Sequence, residues 1–182
     1  MKLKISLLTS SCKRENFDCG KDPLNNYIKK QASQDVRRLL SACYVLTNAE
    51  DEVKGYYTLS SASIPRDGMP ENLLSKLPKA YTEFPATLLG RLGIDNTLQG
   101  NGRGSALLFH ALKKALANAD SVGSLAVVVD PLDEEAREFY RRKEFIDIPG
   151  SGRMFMLMST IQKQVDDEEN LIALLQEGVK HD

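Results

Sequence analysis

Two groups of residues in this chain have the types and the spacing to do chemistry. The first is Gln99-Gly100-Asn101-Gly102-Arg103-Gly104, a glycine-rich loop that runs into a long amphipathic segment starting near Ser105. A loop of this kind opening a helix leaves backbone N–H groups without partners, aimed at one point beside the positive end of the helix dipole. That is an anion site, and it suits a pyrophosphate. Gly102 and Gly104 let the backbone come close and Arg103 adds positive charge. The same pattern also serves as a plain turn, and Arg103 as a solvated side chain.

The second group is Phe139-Tyr140, on a segment of helical spacing that starts at Asp133. A phenol with an ordinary pKa of about 10 can give up a proton to a strongly basic leaving group at neutral pH. The pair reads equally well as two core aromatics with a satisfied hydroxyl. No general base stands out: His110 falls on the long helix, and His181 in the tail. A base is dispensable if the nucleophile is an α-amine, whose pKa of about 7.7–8.0 leaves a sizeable neutral fraction near pH 7, unlike a lysine amine at about 10.4.

These groups need elements to hold them. Leu88–Asp95 reads as a buried strand before the glycine loop, Ala106 to about Ala119 as a helix, Leu125–Asp130 as a strongly apolar strand, and Met154–Met158 as a final strand. Upstream, Lys2–Leu8 alternates weakly, and Asp22-Pro23 opens a short amphipathic helix through Leu24, Tyr27, Ile28 and Ala32. Ala42–Asn48 and Val53–Ser60 form a hairpin. Residues Ile64 to Pro85 hold four prolines and read as an irregular link with a short helix around Asn72 to Leu77. A link of that length is either substrate-facing or a surface excursion. Within the Leu88–Asp95 strand, Gly93 is read as a point of close ligand approach or as a bulge.

The 182 residues suit one domain, residues 1–161, followed by a helical tail over 162–182 that is acidic and then apolar. With 24 Lys plus Arg against 25 Asp plus Glu, wholesale electrostatic binding of nucleic acid is disfavoured, but a local patch is not. The basic clusters are Lys29-Lys30, Arg37-Arg38, Lys113-Lys114 and Arg141-Arg142-Lys143, the last chosen as the best because it adjoins Tyr140. Three cysteines with no close pair of metal-ligand type fit a reduced cytoplasmic setting and no metal. No apolar run reaches the ~20 residues of a membrane span, and the N-terminus lacks the features of a signal peptide.

The order strand, glycine loop, helix, strand, helix with tyrosine, strand resembles the GCN5-related N-acetyltransferase (GNAT) superfamily, with Gln99-x-x-Gly102-x-Gly104 matching its acetyl-CoA loop. A Rossmann dinucleotide fingerprint fits less well, because the spacing is not G-x-G-x-x-G. Phe17-Asp-Cys-Gly20, Leu24-Asn25, Gly55-Tyr-Tyr-Thr-Leu-Ser60, Leu89-Gly-Arg-Leu92, Asp133-Glu134 and Phe139-Tyr140 are similar to one branch, the GNAT toxins of bacterial toxin–antitoxin pairs. The likeness runs from about Phe17 to Ile161. One departure is Glu144-Phe145, where the family commonly has Gly-Phe.

The resemblance implies an α/β fold whose mixed, twisted sheet, flanked by helices, splays between two parallel central strands. It implies acetyl-CoA as cosubstrate, its pantetheine arm against the backbone of Leu92, Gly93 and Ile94, and its pyrophosphate on Gln99, Gly100, Gly102, Arg103, Gly104 and Ser105. Tyr140 is then the catalytic acid. The toxin branch acetylates the α-amine of aminoacyl-tRNA, and it implies a small ribbon-helix-helix antitoxin as partner and a homodimer. A GNAT acting on a small-molecule or protein amine, and a CoA-binding module without catalysis, are the alternatives.

Overall fold

The computed structural model describes residues 2–178, with side chains through residue 173; His181 lies outside the described residues. Among the described residues seven strands form one sheet in the order β1-β2-β3-β4-β5-β7-β6. They are β1 (Lys4–Leu7), β2 (Ala42–Thr47), β3 (Val53–Pro65), β4 (Glu83–Ile94), β5 (Ala126–Val129), β6 (Ile146–Asp147) and β7 (Met154–Leu157). Every neighbouring pair is antiparallel except β4 and β5, which run parallel at the centre.

Strand alternation sorts the core into two faces. Val127 and Val129 of β5 and Tyr57 and Leu59 of β3 face α4 (Arg103–Ala119), whose Leu107, Leu108, Ala111, Leu112 and Ala115 form its buried stripe. The same cluster takes in Tyr140 of α5 (Glu134–Arg141), Phe145, and Met158, Ile161 and Val165 of α6 (Met158–Gly178). The opposite face holds Tyr56 and Val45, packed with Phe17, Tyr27 and Ile28 of a helical run made of α1 (Asp22–Asn26), a π-turn (Tyr27–Gln31) and α2 (Ala32–Arg37). Farther along that face, Ala126, Val128 and Phe155 lie under Ile64, Met69 and Ile148.

Three boundaries differ from the sequence reading. The β3–β4 hairpin is longer at its distal end than expected, so the irregular link shrinks to residues 66–82, with α3 at Glu71–Leu74. Pro85 sits inside β4 because its missing N–H falls just before β5 begins, where no ladder bond is required. At the C-terminal end, α6 follows β7 directly at Met158, ahead of residue 162 where the helical tail was expected to begin, and Val165 packs in the main core.

Candidate active site

The site begins with a gap in the sheet. β5 pairs only with Ala86–Leu89 of β4, so beyond Leu89 the strand is held on its β3 side alone. The two central strands therefore part, as the splay requires. Gly90 sits where they part, and it is a β-bulge: Thr58 opposes Arg91 and Leu59 opposes Leu89, which leaves Gly90 as the extra residue.

One extra residue reverses which backbone groups face which neighbour. Leu125 N donates to Pro85 O at 2.7 Å, so Pro85, Thr87 and Leu89 present their backbone groups to β5. Past the bulge, Asp95 N donates to Lys54 O at 3.0 Å, so Arg91, Gly93 and Asp95 face β3, and Leu92 and Ile94 face the gap. The Ile94 carbonyl accepts from Gln99 Nε2 at 2.9 Å. The N–H groups of Leu92 and Ile94 and the Leu92 carbonyl have no partner among the described residues. Gly93 is not the bulge and offers no backbone to the gap. It is a glycine because a Cβ there would meet Tyr56 Cε1 at 3.3 Å and Phe17 Cζ at 3.4 Å.

The loop after β4 is fixed from below and open above. The Asp95 carboxylate accepts from Thr97 N at 3.1 Å, Thr97 Oγ1 at 2.5 Å and Asp18 N at 3.1 Å. Gln99 turns inward, its Nε2 donating to Ile94 O and to Cys19 O at 3.1 Å, so its carboxamide braces the loop and does not point outward. Gly100 and Gly102 have φ of +77° and +71°, the left-handed region that favours glycine, with nothing near their missing Cβ atoms. Gly102 is the N-cap residue of α4 and supplies no side-chain cap. The N–H groups of Arg103, Gly104 and Ser105 at the first turn are therefore free donors. Arg103 is exposed and has no ion-pair partner among the described residues.

Tyr140 comes to the same apolar cluster from α5. Asp133 caps that helix, accepting from Ala136 N at 2.9 Å, and Glu134 and Glu135 in the first turn favour its dipole. The Tyr140 ring packs edge-on against Phe139 and Phe145 at centroid distances of 5.3 and 5.2 Å, in the cluster that holds Leu89, Ile94 and the half-buried Leu92. Both sequence readings describe part of it: the ring is core, yet the hydroxyl has no hydrogen bond among the described residues. No buried side-chain oxygen is left without a partner, so that hydroxyl reaches solvent. Burial pushes its pKa well above that of an ordinary phenol, which keeps the proton on. Lys21 Nζ joins the far side of the gap to α5, 2.8 Å from Asp133 and 2.9 Å from Glu135.

The basic clusters rearrange. Arg141 is paired with Glu138 at 2.6 Å and Asp147 at 3.4 Å, so the residue that sequence adjacency favours is already neutralised. Lys113, Lys114, Arg142 and Lys143 instead line one cleft of about 960 Å³ between α4, the end of α5 and α6. His110 also lines it, 2.8 Å from the Tyr57 hydroxyl; burial first, then Lys114 and Lys113, lower its pKa and hold it neutral. Among the described residues no cluster of His, Cys, Asp and Glu could hold a metal ion.

Two site residues escaped the sequence reading. Gly90 carries the bulge, and a strand-interior glycine was the available signal, assigned to its neighbour Gly93. Lys21 had no signal, because its partners lie more than a hundred positions away.

No protein-family model matches the chain. It is 34% identical over 143 residues to a tRNA-acetylating toxin of Mycobacterium tuberculosis, spanning 79% of this chain and 84% of that protein. The fold superposes on AtaT complexed with acetyl-methionyl-tRNAfMet with a TM-score of 0.84 at 30% identity, covering 90% of this chain and 99% of that one. AtaTR bound with acetyl-CoA gives a TM-score of 0.79 at 30% identity, with 90% and 98% covered. With the parted central strands and the uncapped glycine loop already in place, this chain belongs to the tRNA-acetylating toxins, acetyl-CoA-dependent N-acetyltransferases of the GNAT fold.

Proposed function

We propose that this protein moves the acetyl group of acetyl-CoA to the α-amine of an aminoacyl-tRNA by direct attack. The observation that carries the reading is the open edge of β4 beyond Gly90, with the uncapped start of α4 following it in the chain and Tyr140 packed in the cluster that holds Leu92 and Ile94. The free N–H groups of Arg103, Gly104 and Ser105 take the pyrophosphate, with Gly100 and Gly102 leaving room. Leu92 and Ile94 hydrogen-bond the pantetheine arm as an added strand would. The neutral amine attacks the thioester carbon, the C–S bond breaks, and the departing thiolate takes the proton of Tyr140. The amine gives up its surplus proton to water, and solvent reprotonates the phenolate.

Phosphates of the tRNA are held first by Lys114 and Lys143, which have no carboxylate partner among the described residues, with Lys113 and Arg142 beside them in looser pairs with Glu168 at 3.6 Å and Glu138 at 3.9 Å; Arg141 is held more tightly, 2.6 Å from Glu138. This local patch answers the objection raised by a formal net charge of −1. A ribbon-helix-helix antitoxin and a homodimer belong to the same reading, as does the cytoplasm, where charged tRNA is used. No described helix is long and apolar enough to cross a membrane.

The test incubates the protein with labelled acetyl-CoA and total charged tRNA, then deacylates and identifies the amino acids. N-acetyl amino acids are expected. Label on a polyamine or on protein instead would leave the fold standing and remove the tRNA reading. Affinity for charged tRNA is expected to fall steeply with salt, with a shallower slope once Lys114 and Lys143 become alanine.

A further inference from the structure

We propose that Thr58 and Gly90 form the seat of the acceptor amine, with the Thr58 hydroxyl accepting a hydrogen bond from the attacking nitrogen. The inference rests on the acetyl-transfer reading and adds a residue to it. Thr58 lies on β3 with only 2% of its surface exposed. Its hydroxyl makes no hydrogen bond among the described residues, and no buried side-chain oxygen lacks a partner, so Oγ1 keeps a narrow opening to solvent. Gly90 of the bulge lies beside that hydroxyl. A Cβ on Gly90 would stand 3.2 Å from Thr58 Oγ1, so the glycine leaves a notch with a hydroxyl as its floor.

The notch lies where a nucleophile is needed. Gly90 is the first residue of β4 beyond its pairing with β5, at the apex of the gap. From Ile94 back to Gly90 the strand covers roughly 13 Å, so an arm running along it from the glycine loop brings its thioester end towards this apex. Thr58 shares its sheet face with Tyr56, and Tyr140 belongs to the cluster on the other face with Tyr57 and α4. The hydroxyl and the acid thus flank the gap from opposite sides, one for the entering nitrogen and one for the leaving sulfur.

The charge beside the notch fits a neutral amine. Arg91 is the cross-strand partner of Thr58, and its guanidinium stacks over Tyr27 at 3.6 Å. It has no carboxylate partner among the described residues. A cation on the residue directly across the strand pair from Thr58, on the same sheet face, disfavours an ammonium and favours the free amine, which has N–H groups to donate and a lone pair to attack with. Valine would fill the volume of Thr58, and the hydroxyl makes no hydrogen bond to the described residues, so packing alone gives no reason for threonine.

The experiment compares Thr58→Val, Thr58→Ser and Gly90→Ala with the parent, measuring kcat and KM for acetylation of charged tRNA and acetyl-CoA affinity by calorimetry. Thr58→Val is expected to lower kcat/KM on the order of 10-fold with acetyl-CoA affinity unchanged, the usual cost of one lost hydrogen bond in a reacting complex. Thr58→Ser should recover most of it, and Gly90→Ala, whose added methyl closes the notch, should copy Thr58→Val. Turnover of Thr58→Val within twofold of the parent, or Thr58→Ser as poor as Thr58→Val, overturns the seat. If the parent acetylates no aminoacyl-tRNA, the acceptor reading fails separately, and the same ratios are measured on whichever amine takes label; if none does, the seat falls as well.

Discussion

The two halves of β4 are one strand with opposite tasks. From Glu83 to Leu89 it is an ordinary central strand, with β3 on one edge and, along Ala86–Leu89, β5 on the other, and Leu89 is 1% exposed. From Gly90 to Ile94 it keeps β3 but has no strand on its second edge, and two residues leave backbone groups unclaimed. The halves hardly differ in apolar content. They differ because one extra residue reverses the direction of the backbone groups just where β5 ends. Had the bulge been absent, Arg91 and Gly93 would face the gap and Leu92 and Ile94 would face β3. A sheet can thus carry a ligand-binding edge at its centre, which an edge strand would expose to aggregation.

The comparison predicts that damage to the open half is functional and damage to the closed half structural. The largest effect is expected at the Tyr140 hydroxyl, which is proposed to serve the open half while its ring packs in the core. Tyr140→Phe should lower kcat by ~10²–10⁴-fold, the usual worth of a general acid. Acetyl-CoA affinity should hold. Thermal stability should be unchanged or slightly higher, since the lost hydroxyl has no protein partner and the ring packing against Phe139 and Phe145 stays. Steady-state rates within a few-fold of the parent would make Tyr140 a core aromatic and nothing more.

Proline substitution separates the two edges next. At Thr87 the N–H faces β5, so Thr87→Pro removes a ladder bond in the sheet centre and should lower Tm sharply. At Leu92 the N–H faces the gap. Leu92→Pro should cost much less stability but weaken acetyl-CoA binding by on the order of 10-fold, because a donor to the arm is gone. Equal losses of stability, or a Leu92→Pro variant that binds acetyl-CoA like the parent, would break the distinction between the halves.

Most of this scaffold was legible in the sequence, because Val127 to Val129, the α4 stripe and the glycine loop are local patterns. The gap itself was legible only through the resemblance. Its cause was not, since Leu89-Gly-Arg-Leu-Gly93 holds two glycines and register alone decides which is the bulge. Pro65, Pro85 and the serines of β3 hid the distal hairpin, whose strands are specified by each other rather than by local propensity. The two-residue β6 carries no periodicity at all. Arg141 shows the limit of adjacency: next to Tyr140 in sequence, it lies one helical turn from Glu138 and is paired there. At Glu144 the φ of +70° accounts for the glycine of the Gly-Phe pattern, which would sit there without strain; nothing in the backbone explains the glutamate.

The smallest effect concerns the bridge across the mouth of the gap. Lys21 holds the Asp133 carboxyl below its ordinary value of 3.8, with the Ala136 N–H adding to it, and Asp133 and Glu135 raise the Lys21 amine above 10.5. A depressed carboxylate pKa contributes stability in full above the ordinary value and loses it as pH falls through the folded one. A raised amine pKa contributes in full below its ordinary value and loses it as pH climbs through the folded one. The bridge is therefore complete between about pH 5 and 9 and weakens outside that window. Asp133→Ala removes a cap as well as the pair and should cost about 1 kcal/mol at neutral pH. Lys21→Met keeps the cap and should cost less, in keeping with an exposed pair. Thermal melts at pH 7 and pH 3 check this: both variants should approach the parent in acid, where Asp133 is losing its charge in any case. A full gap between parent and variants at pH 3 would mean that Asp133 acts by shape and not by charge. Because the bridge joins the Phe17–Lys21 loop to the helix carrying Tyr140, Lys21→Met should also raise KM for the acceptor more than for acetyl-CoA.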